Sequence, residues 1–182
     1  MTGTASSSPT LAERLSARLR VVPDFPSKGI MFQDVTPVLG DAVLFREVID
    51  AMVAPWRGQG ITHVVGIESR GFIFAAPIAL ALGAGFVPIR KPGKLPWRRA
   101  TRDYALEYGS GQLEMHEDAC PPGARVLIVD DVLATGGTSK AAGELVEALG
   151  ADVIGCGFFL KVSALNGQER LPGRRVEVLI AR

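Results

Sequence analysis

Val126-Leu127-Ile128-Val129-Asp130-Asp131-Val132-Leu133-Ala134-Thr135-Gly136-Gly137-Thr138-Ser139 is the stretch that decides the fold. Four consecutive apolar residues, Val126 to Val129, read as a strand covered on both faces, and two carboxylates follow at its carboxyl end. A glycine- and threonine-rich turn then leads into a helix predicted from about Ser139 to Leu149. Strand, short turn, helix is the repeating unit of a parallel α/β sheet, and such sheets bind ligands beyond the carboxyl ends of their strands. The composition of this junction says what kind of ligand. Two adjacent acids repel unless a cation or a hydroxyl-bearing group lies between them, and a ribose 2′,3′-diol, with or without a divalent cation, meets that need. Thr135-Gly136-Gly137-Thr138 brings backbone N–H groups and two hydroxyls to the positive end of the following helix, where the glycines allow an anion to approach the main chain. A diol next to a 5′-phosphate outlines a ribose phosphate.

Outward from this stretch the chain keeps alternating. Strands are predicted at His63–Ile67, Gly85–Ile89, Val153–Leu160 and Val176–Ile180, with a buried helix at Phe72–Leu82 and a short one near Ala164–Arg170. Continuous apolar strands separated by helices imply a mainly parallel, twisted sheet with helices on both faces. Tyr104–Tyr108 and Gln112–Glu117, split by Gly109-Ser110-Gly111, read as an antiparallel hairpin appended to that sheet. Toward the N-terminus, Thr10-Leu11-Ala12-Glu13 has the form of a capping box and starts a helix to about Arg20. Pro23, Pro26, Gly29 and Pro37 predict a mostly irregular wrap over Val22–Leu39. Asp41 can cap the next helix, where Leu44, Phe45, Val48, Ile49, Met52 and Val53 share one face.

The bulk numbers bound the function class. At 182 residues and 47% apolar content the chain reads as one domain, residues 10–182, after a polar tail at 1–9 that lacks the apolar core of a signal peptide. Twenty Lys and Arg balance 19 Asp and Glu, so no global charge points to nucleic acid or to a membrane surface. The uncharged run Gly71–Ile89 is long enough for a membrane span, but Pro77, Gly83, Gly85 and Pro88 divide it into helix, turn and strand. Two cysteines far apart and two histidines give no metal-ligand spacing, and reduced thiols fit a cytoplasmic protein. Neither G-x-x-x-x-G-K-[ST] nor G-x-G-x-x-G occurs, so kinase-like and dinucleotide readings lose support.

The junction Val126–Ser139 resembles the phosphoribosyl diphosphate fingerprint of the type I phosphoribosyltransferases. Asp24-Phe25-Pro26-x-x-Gly29-Ile30-Met31-Phe32-x-Asp34-Val35-Thr36-Pro37, Glu68-Ser69-Arg70-Gly71-Phe72, Arg90-Lys91-x-Gly93-Lys94-Leu95-Pro96 and Tyr104-x-Leu106-Glu107-Tyr108-Gly109 resemble, in that order, the adenine branch of the family. The resemblance spans roughly residues 10 to 180. It implies the type I fold, with an N-terminal base-binding hood at 10–40 and a flexible lid and hairpin at 90–117. It also implies conversion of adenine and phosphoribosyl diphosphate to AMP and diphosphate in purine salvage, with Mg²⁺ carried by the diphosphate near Asp130 and Asp131, and a homodimer.

Residue by residue, the resemblance puts the ribose hydroxyls on Asp130 and Asp131 and the 5′-phosphate on Ala134, Thr135, Gly136, Gly137 and Thr138. Diphosphate falls to Ser69, Arg70, Arg90, Lys91 and Lys94, the last three in a basic loop able to close over it. Adenine falls to Met31, Phe32 and Gln33, with Val132 on the opposite face. Family members often carry a basic residue where this chain has Gln33, a change that a backbone N–H contact survives. Glu107 is the implied acid/base residue, Arg70 assists catalysis, and Tyr104 and Tyr108 line the lid or a subunit contact. Two other readings stay open: a different base, or a phosphoribosyl diphosphate sensor acting on nucleic acid, which would call for a basic face or an added domain.

Overall fold

The computed structural model describes residues 8–105 and 110–182. The chain divides into two compact units, Met1–Val48 and Ile49–Arg182.

The first unit opens with α1 (Leu11–Arg18), and its capping box forms as predicted: Glu13 N–H donates to Thr10 Oγ1 at 3.3 Å and Thr10 N–H to Glu13 Oε2 at 2.7 Å. The segment expected to be irregular holds a two-stranded antiparallel ribbon, β1 (Arg20–Pro23) and β2 (Met31–Asp34), then a single helical turn, α2 (Thr36–Leu39). The prolines and glycine punctuate a ribbon instead of dissolving it. Pro23 is the terminal residue of its strand, Pro26 and Gly29 lie in the connection, and Pro37 occupies the first turn of α2, where a missing N–H costs little. Asp41 caps α3 (Ala42–Val53), accepting from the N–H groups of Val43 and Leu44 at 3.1 Å.

The second unit runs β3 (His63–Ile67), α4 (Gly71–Leu82), β4 (Gly85–Ile89), β5 (Arg99–Ala105), β6 (Ser110–His116), β7 (Arg125–Leu133), α5 (Gly137–Ala148), β8 (Asp152–Lys161) and β9 (Val176–Ala181). Five strands form one parallel sheet in the order β4-β3-β7-β8-β9. From β3 the chain crosses through α4 to β4 on one side, and from β7 it crosses through α5 to β8 on the other. Two right-handed crossovers in opposite directions put α4 and α5 on opposite faces. On one face Phe74 of α4 stacks on Phe159 at 5.4 Å, and Gly66 of β3 lies against Ala75 and Phe72. On the other, Val65, Ile67, Val126, Ile128, Cys156 and Phe158 pack with Ala142, Leu145 and Val146 of α5. The reversal between β3 and β7 opens the crevice at their carboxyl ends where α/β sheets bind ligands.

Three further expectations need correction. β7 does not stop at Val129: its ladder with β8 continues through Asp130↔Phe158, Val132↔Leu160 and Leu133↔Lys161, so both carboxylates lie inside the strand. Pairing with a long β8 satisfies the backbone there, whatever the side chains carry. The helix near Ala164–Arg170 is two 3₁₀ turns, Ser163–Leu165 and Gly167–Arg170, separated by Asn166 in a left-handed conformation. The hairpin starts earlier than predicted and is a separate ribbon, Arg99↔His116 to Ala105↔Ser110, joined to the end of β4 by reciprocal backbone bonds between Arg90 and Glu114 at 2.9 and 2.8 Å. Helix α4 is apolar all round yet leaves Leu80 84% and Ile73 40% exposed. Among the described residues no helix is long and apolar enough to cross a membrane.

Candidate active site

Strands β3 and β7 are neighbours in register, Gly66 opposite Val129, so the loops leaving their carboxyl ends open side by side. The loop after β3 is Glu68-Ser69-Arg70, running into α4; the loop after β7 is Ala134-Thr135-Gly136, running into α5. Gly71, the first residue of α4, lets the two approach: a Cβ there would lie 2.8 Å from Asp130 Oδ1 and 3.0 Å from Val129 O. Arg70 reaches across and its Nε donates to Asp131 Oδ2, with the Asp131 side chain 7% exposed. Asp130 accepts the Asp131 N–H at 2.9 Å. Burial first, and the charge of Asp131 second, push the Asp130 carboxyl well above the usual carboxylate range. Among the described residues Arg70 is the cation bonded to this pair, and the raised Asp130 carboxyl marks a place where added positive charge or hydroxyl donors would be favourable.

The turn after β7 leaves backbone donors free at a helix start. Gly136 is the N-cap of α5 in the left-handed conformation at φ 78°, which glycine adopts without penalty, and no side chain caps the helix. The first backbone bond of the helix is donated by Lys140 to Gly136 O at 3.0 Å. The N–H groups of Gly137, Thr138 and Ser139 therefore have no intrahelical acceptor and point out of the helix start, at its positive end. Thr135 and Thr138 are half-buried beside them.

The basic loop is tied to the same corner. Glu68, with a side chain 7% exposed, accepts from Lys94 Nζ, from Lys91 N–H at 3.0 Å and from Arg90 Nε at 3.3 Å. Arg90 also donates from Nη1 to the Lys94 carbonyl at 3.1 Å. A second acid, Glu114, is 2% exposed and accepts from Arg99 Nε at 2.9 Å and Gly93 N–H at 3.1 Å. Both ends of the basic segment are thereby pinned by buried carboxylates.

Residues 44–176 match the phosphoribosyl transferase domain family. The adenine phosphoribosyltransferase of Anaeromyxobacter dehalogenans is 59% identical over 170 residues, 93% of this chain and 99% of the relative. Among solved structures, the adenine phosphoribosyltransferase of Rhodothermus marinus superposes with a TM-score of 0.91 at 50% identity, covering 94% of this chain and 98% of that one. The Saccharomyces cerevisiae adenine phosphoribosyltransferase, solved with adenine and an imino-altritol bisphosphate, gives 0.88 at 43% identity over 93% and 98%. The chain belongs to the adenine phosphoribosyltransferase family.

Among the residues singled out from the phosphoribosyltransferase resemblance, the structure gathers Arg70, Asp130, Asp131 and the Ala134–Thr138 turn at one mouth of the sheet, with Ser69 exposed beside Arg70. Arg90 and Lys94 come to that corner through Glu68, and Lys91 through its backbone. Val132 is half-buried in β7 opposite Leu160. Tyr104 is half-buried in β5 and covers Gly111 across the ribbon, where a Cβ would lie 2.7 Å from its hydroxyl oxygen. Glu107 and Tyr108 lie outside the described residues. Met31, Phe32 and Gln33 form most of β2 in the first unit: Met31 is 57% exposed, and Phe32 meets Phe25 edge to face at 5.1 Å.

Sequence reasoning assigned no role to Glu68 or Glu114. Glu68 was visible within the Glu68-Ser69-Arg70 motif. Glu114 stands between Leu113 and Met115, both buried, but acids between apolar residues recur along the chain, as at Glu177, so the pattern did not single it out. A buried charge needs paired donors, and both acids draw theirs from the basic loop and its backbone.

Proposed function

We infer that the chain transfers the phosphoribosyl group of phosphoribosyl diphosphate to adenine, forming AMP and releasing diphosphate, as a purine salvage enzyme. The observation that carries this reading is the convergence of Asp130, Asp131 and the glycine-threonine turn at the end of one strand, with Arg70 from the adjacent strand's loop on Asp131. Asp130 and Asp131 hold the ribose hydroxyls, and the Ala134–Thr138 turn holds the 5′-phosphate. Ser69, Arg70, Arg90, Lys91 and Lys94 take the diphosphate. As the glycosidic bond breaks, the sugar gains oxocarbenium character and the leaving group gains charge, which these cations stabilise in place. Adenine N9 attacks from the opposite face, with Val132 beside the base. Glu107 shares a proton with N7, which strengthens N9 as nucleophile. A basic loop closing over the site keeps water, the competing nucleophile, away from the sugar.

The oxygen donors of Asp130 and Asp131 suit a hard cation, and these two residues would hold Mg²⁺ where added positive charge is favourable beside the raised Asp130 carboxyl. Bound there, Mg²⁺ would supply charge neutralisation of the leaving diphosphate. A homodimer fits the exposed apolar side chains Ile73, Leu80 and Phe86 on α4 and β4. The cytoplasm fits two buried free cysteines.

The test is a panel of bases incubated with the protein, phosphoribosyl diphosphate and Mg²⁺. AMP should appear with adenine, with hypoxanthine, guanine, xanthine and uracil far behind. Preference for a 6-oxo purine would overturn the base assignment, and no nucleotide from any base would overturn the transferase reading.

A further inference from the structure

Gly167 lies in the 3₁₀ turn after β8, far in sequence from the turn that follows β7, yet the two backbones interlock. A Cβ on Gly136 would overlap the carbonyl oxygen of Gly167 and come within 3.0 Å of its carbon and 3.2 Å of Arg170 Cβ. A Cβ on Gly167 would overlap the carbonyl oxygen of Ala134, lying 2.8 Å from Gly136 N and 2.9 Å from Ala134 C. Real Cβ atoms do not approach backbone so closely, and backbone has no rotamer by which to withdraw. Both glycines are buried. The strands that deliver them are bonded at their ends, Val162 N–H donating to Leu133 O at 3.0 Å, so the two turns emerge already side by side.

The two glycines are not equivalent. Gly136 needs its left-handed φ of 78°, so glycine there has a local explanation. Gly167 does not have a positive φ, and its backbone would accept any residue. What excludes a side chain at 167 is the anion-binding turn itself. We propose that Gly167 is a positioning residue for the phosphoribosyl site: its bare backbone is the floor against which Ala134–Gly136 is pressed, and this contact aims the N–H groups of the turn at the 5′-phosphate. The inference rests on the reading of that turn given above. It explains why the segment after β8 is a tight pair of turns instead of the helix its composition suggests: a helix continuing through 167 would carry its own side chains and carbonyls into the space the turn occupies.

The experiment compares the full-length protein with Gly167→Ala and, as a control on an exposed neighbour, Gln168→Ala. Ribose 5-phosphate binding is measured by calorimetry, and initial rates are measured against phosphoribosyl diphosphate and adenine separately. Gly167→Ala should raise the ribose 5-phosphate Kd and the KM for phosphoribosyl diphosphate by about tenfold or more. The KM for adenine should hold, kcat at saturation should change much less, and Gln168→Ala should match the parent. A merely structural role predicts the reverse split, with less active enzyme, a lower kcat and an unchanged KM, and that result overturns the proposal. So does unaltered ribose 5-phosphate binding in folded Gly167→Ala. Should the variant not fold, amide exchange in the parent decides: added ribose 5-phosphate should protect residues 163–171 together with 134–139, and protection confined to 134–139 overturns the interlock. Failure of the parent to bind ribose 5-phosphate at all would instead remove the reading of the site on which the proposal stands.

Discussion

Burial, reinforced by the adjacent charge of Asp131, makes the native state hold a proton on Asp130 more tightly than the unfolded chain does. The stability tied to that raised carboxyl is complete at pH below about 4, the unfolded Asp value, and is lost as pH rises through the folded value. Asp130→Asn should therefore stabilise the ligand-free protein at neutral pH, raising Tm by roughly 2–4 °C in thermal denaturation. The gain should vanish near pH 4, and the KM for phosphoribosyl diphosphate should rise. A lower Tm at pH 7 would contradict the environment assigned to Asp130. Glu68 has the opposite sign. Burial alone would raise it, but the bonds from Lys94, the Lys91 N–H and Arg90 together outweigh burial and hold it below the usual range. Its contribution is present above the unfolded Glu value of about 4.3 and lost as pH falls through the lower folded one. Glu68→Gln should cost about 1–2 kcal/mol at pH 7 by denaturant titration, converging on the parent near pH 3. An equal loss at both pH values would mean that packing, not charge, holds Glu68 in place.

At the scale of elements, the crossing of β3 and α4 depends on Gly66, where a Cβ would lie 2.8 Å from Ala75 Cβ and 2.9 Å from Phe86 Cε2. Gly66→Ala should cost about 1–3 kcal/mol of unfolding free energy, since helix and strand must part to admit it. Unchanged stability would show that the crossing has slack. The strands easiest to read were His63–Ile67 and Gly85–Ile89, whose limits match the prediction because glycine and charged residues bracket each short apolar run. β7 outruns its apolar run because its length is set by pairing with β8, a non-local property, and the residues gained are the two acids of the site. The ribbon at β1 and β2 was hidden for a related reason. Its prolines and glycine are all in places where a hairpin tolerates them, and only the register, Val21 opposite Gln33 and Val22 opposite Phe32, shows this. The capping box and the Asp41 cap were legible because each closes within three residues.

For the whole molecule, the two cysteines are both free and buried, with the Cys156 thiol pushed up to about 12 by burial and Cys120 raised for the same reason. The native protein should leave both thiols unlabelled by a disulfide reagent at pH 8 and show two in denaturant; rapid native labelling would contradict the burial of these sites. The site divides in the same way as the fold. Its contiguous parts, the acid pair and the glycine-threonine turn, were readable because neighbours in the chain are neighbours in space. Glu68 with Lys94, Glu114 with Arg99 and Gly136 with Gly167 were not, because each joins residues distant in sequence, the second across the hairpin ribbon and the other two through the assembled strands and their loops. We propose that one sugar phosphate is held jointly by the acids and the turn at the end of β7. A crystal structure of the AMP complex tests it directly: phosphate oxygens should lie about 2.7–3.2 Å from the N–H and hydroxyl groups of Thr135–Thr138, with the ribose hydroxyls on Asp130 and Asp131. A phosphate bound elsewhere, or a ribose turned away from both carboxylates, would contradict the account.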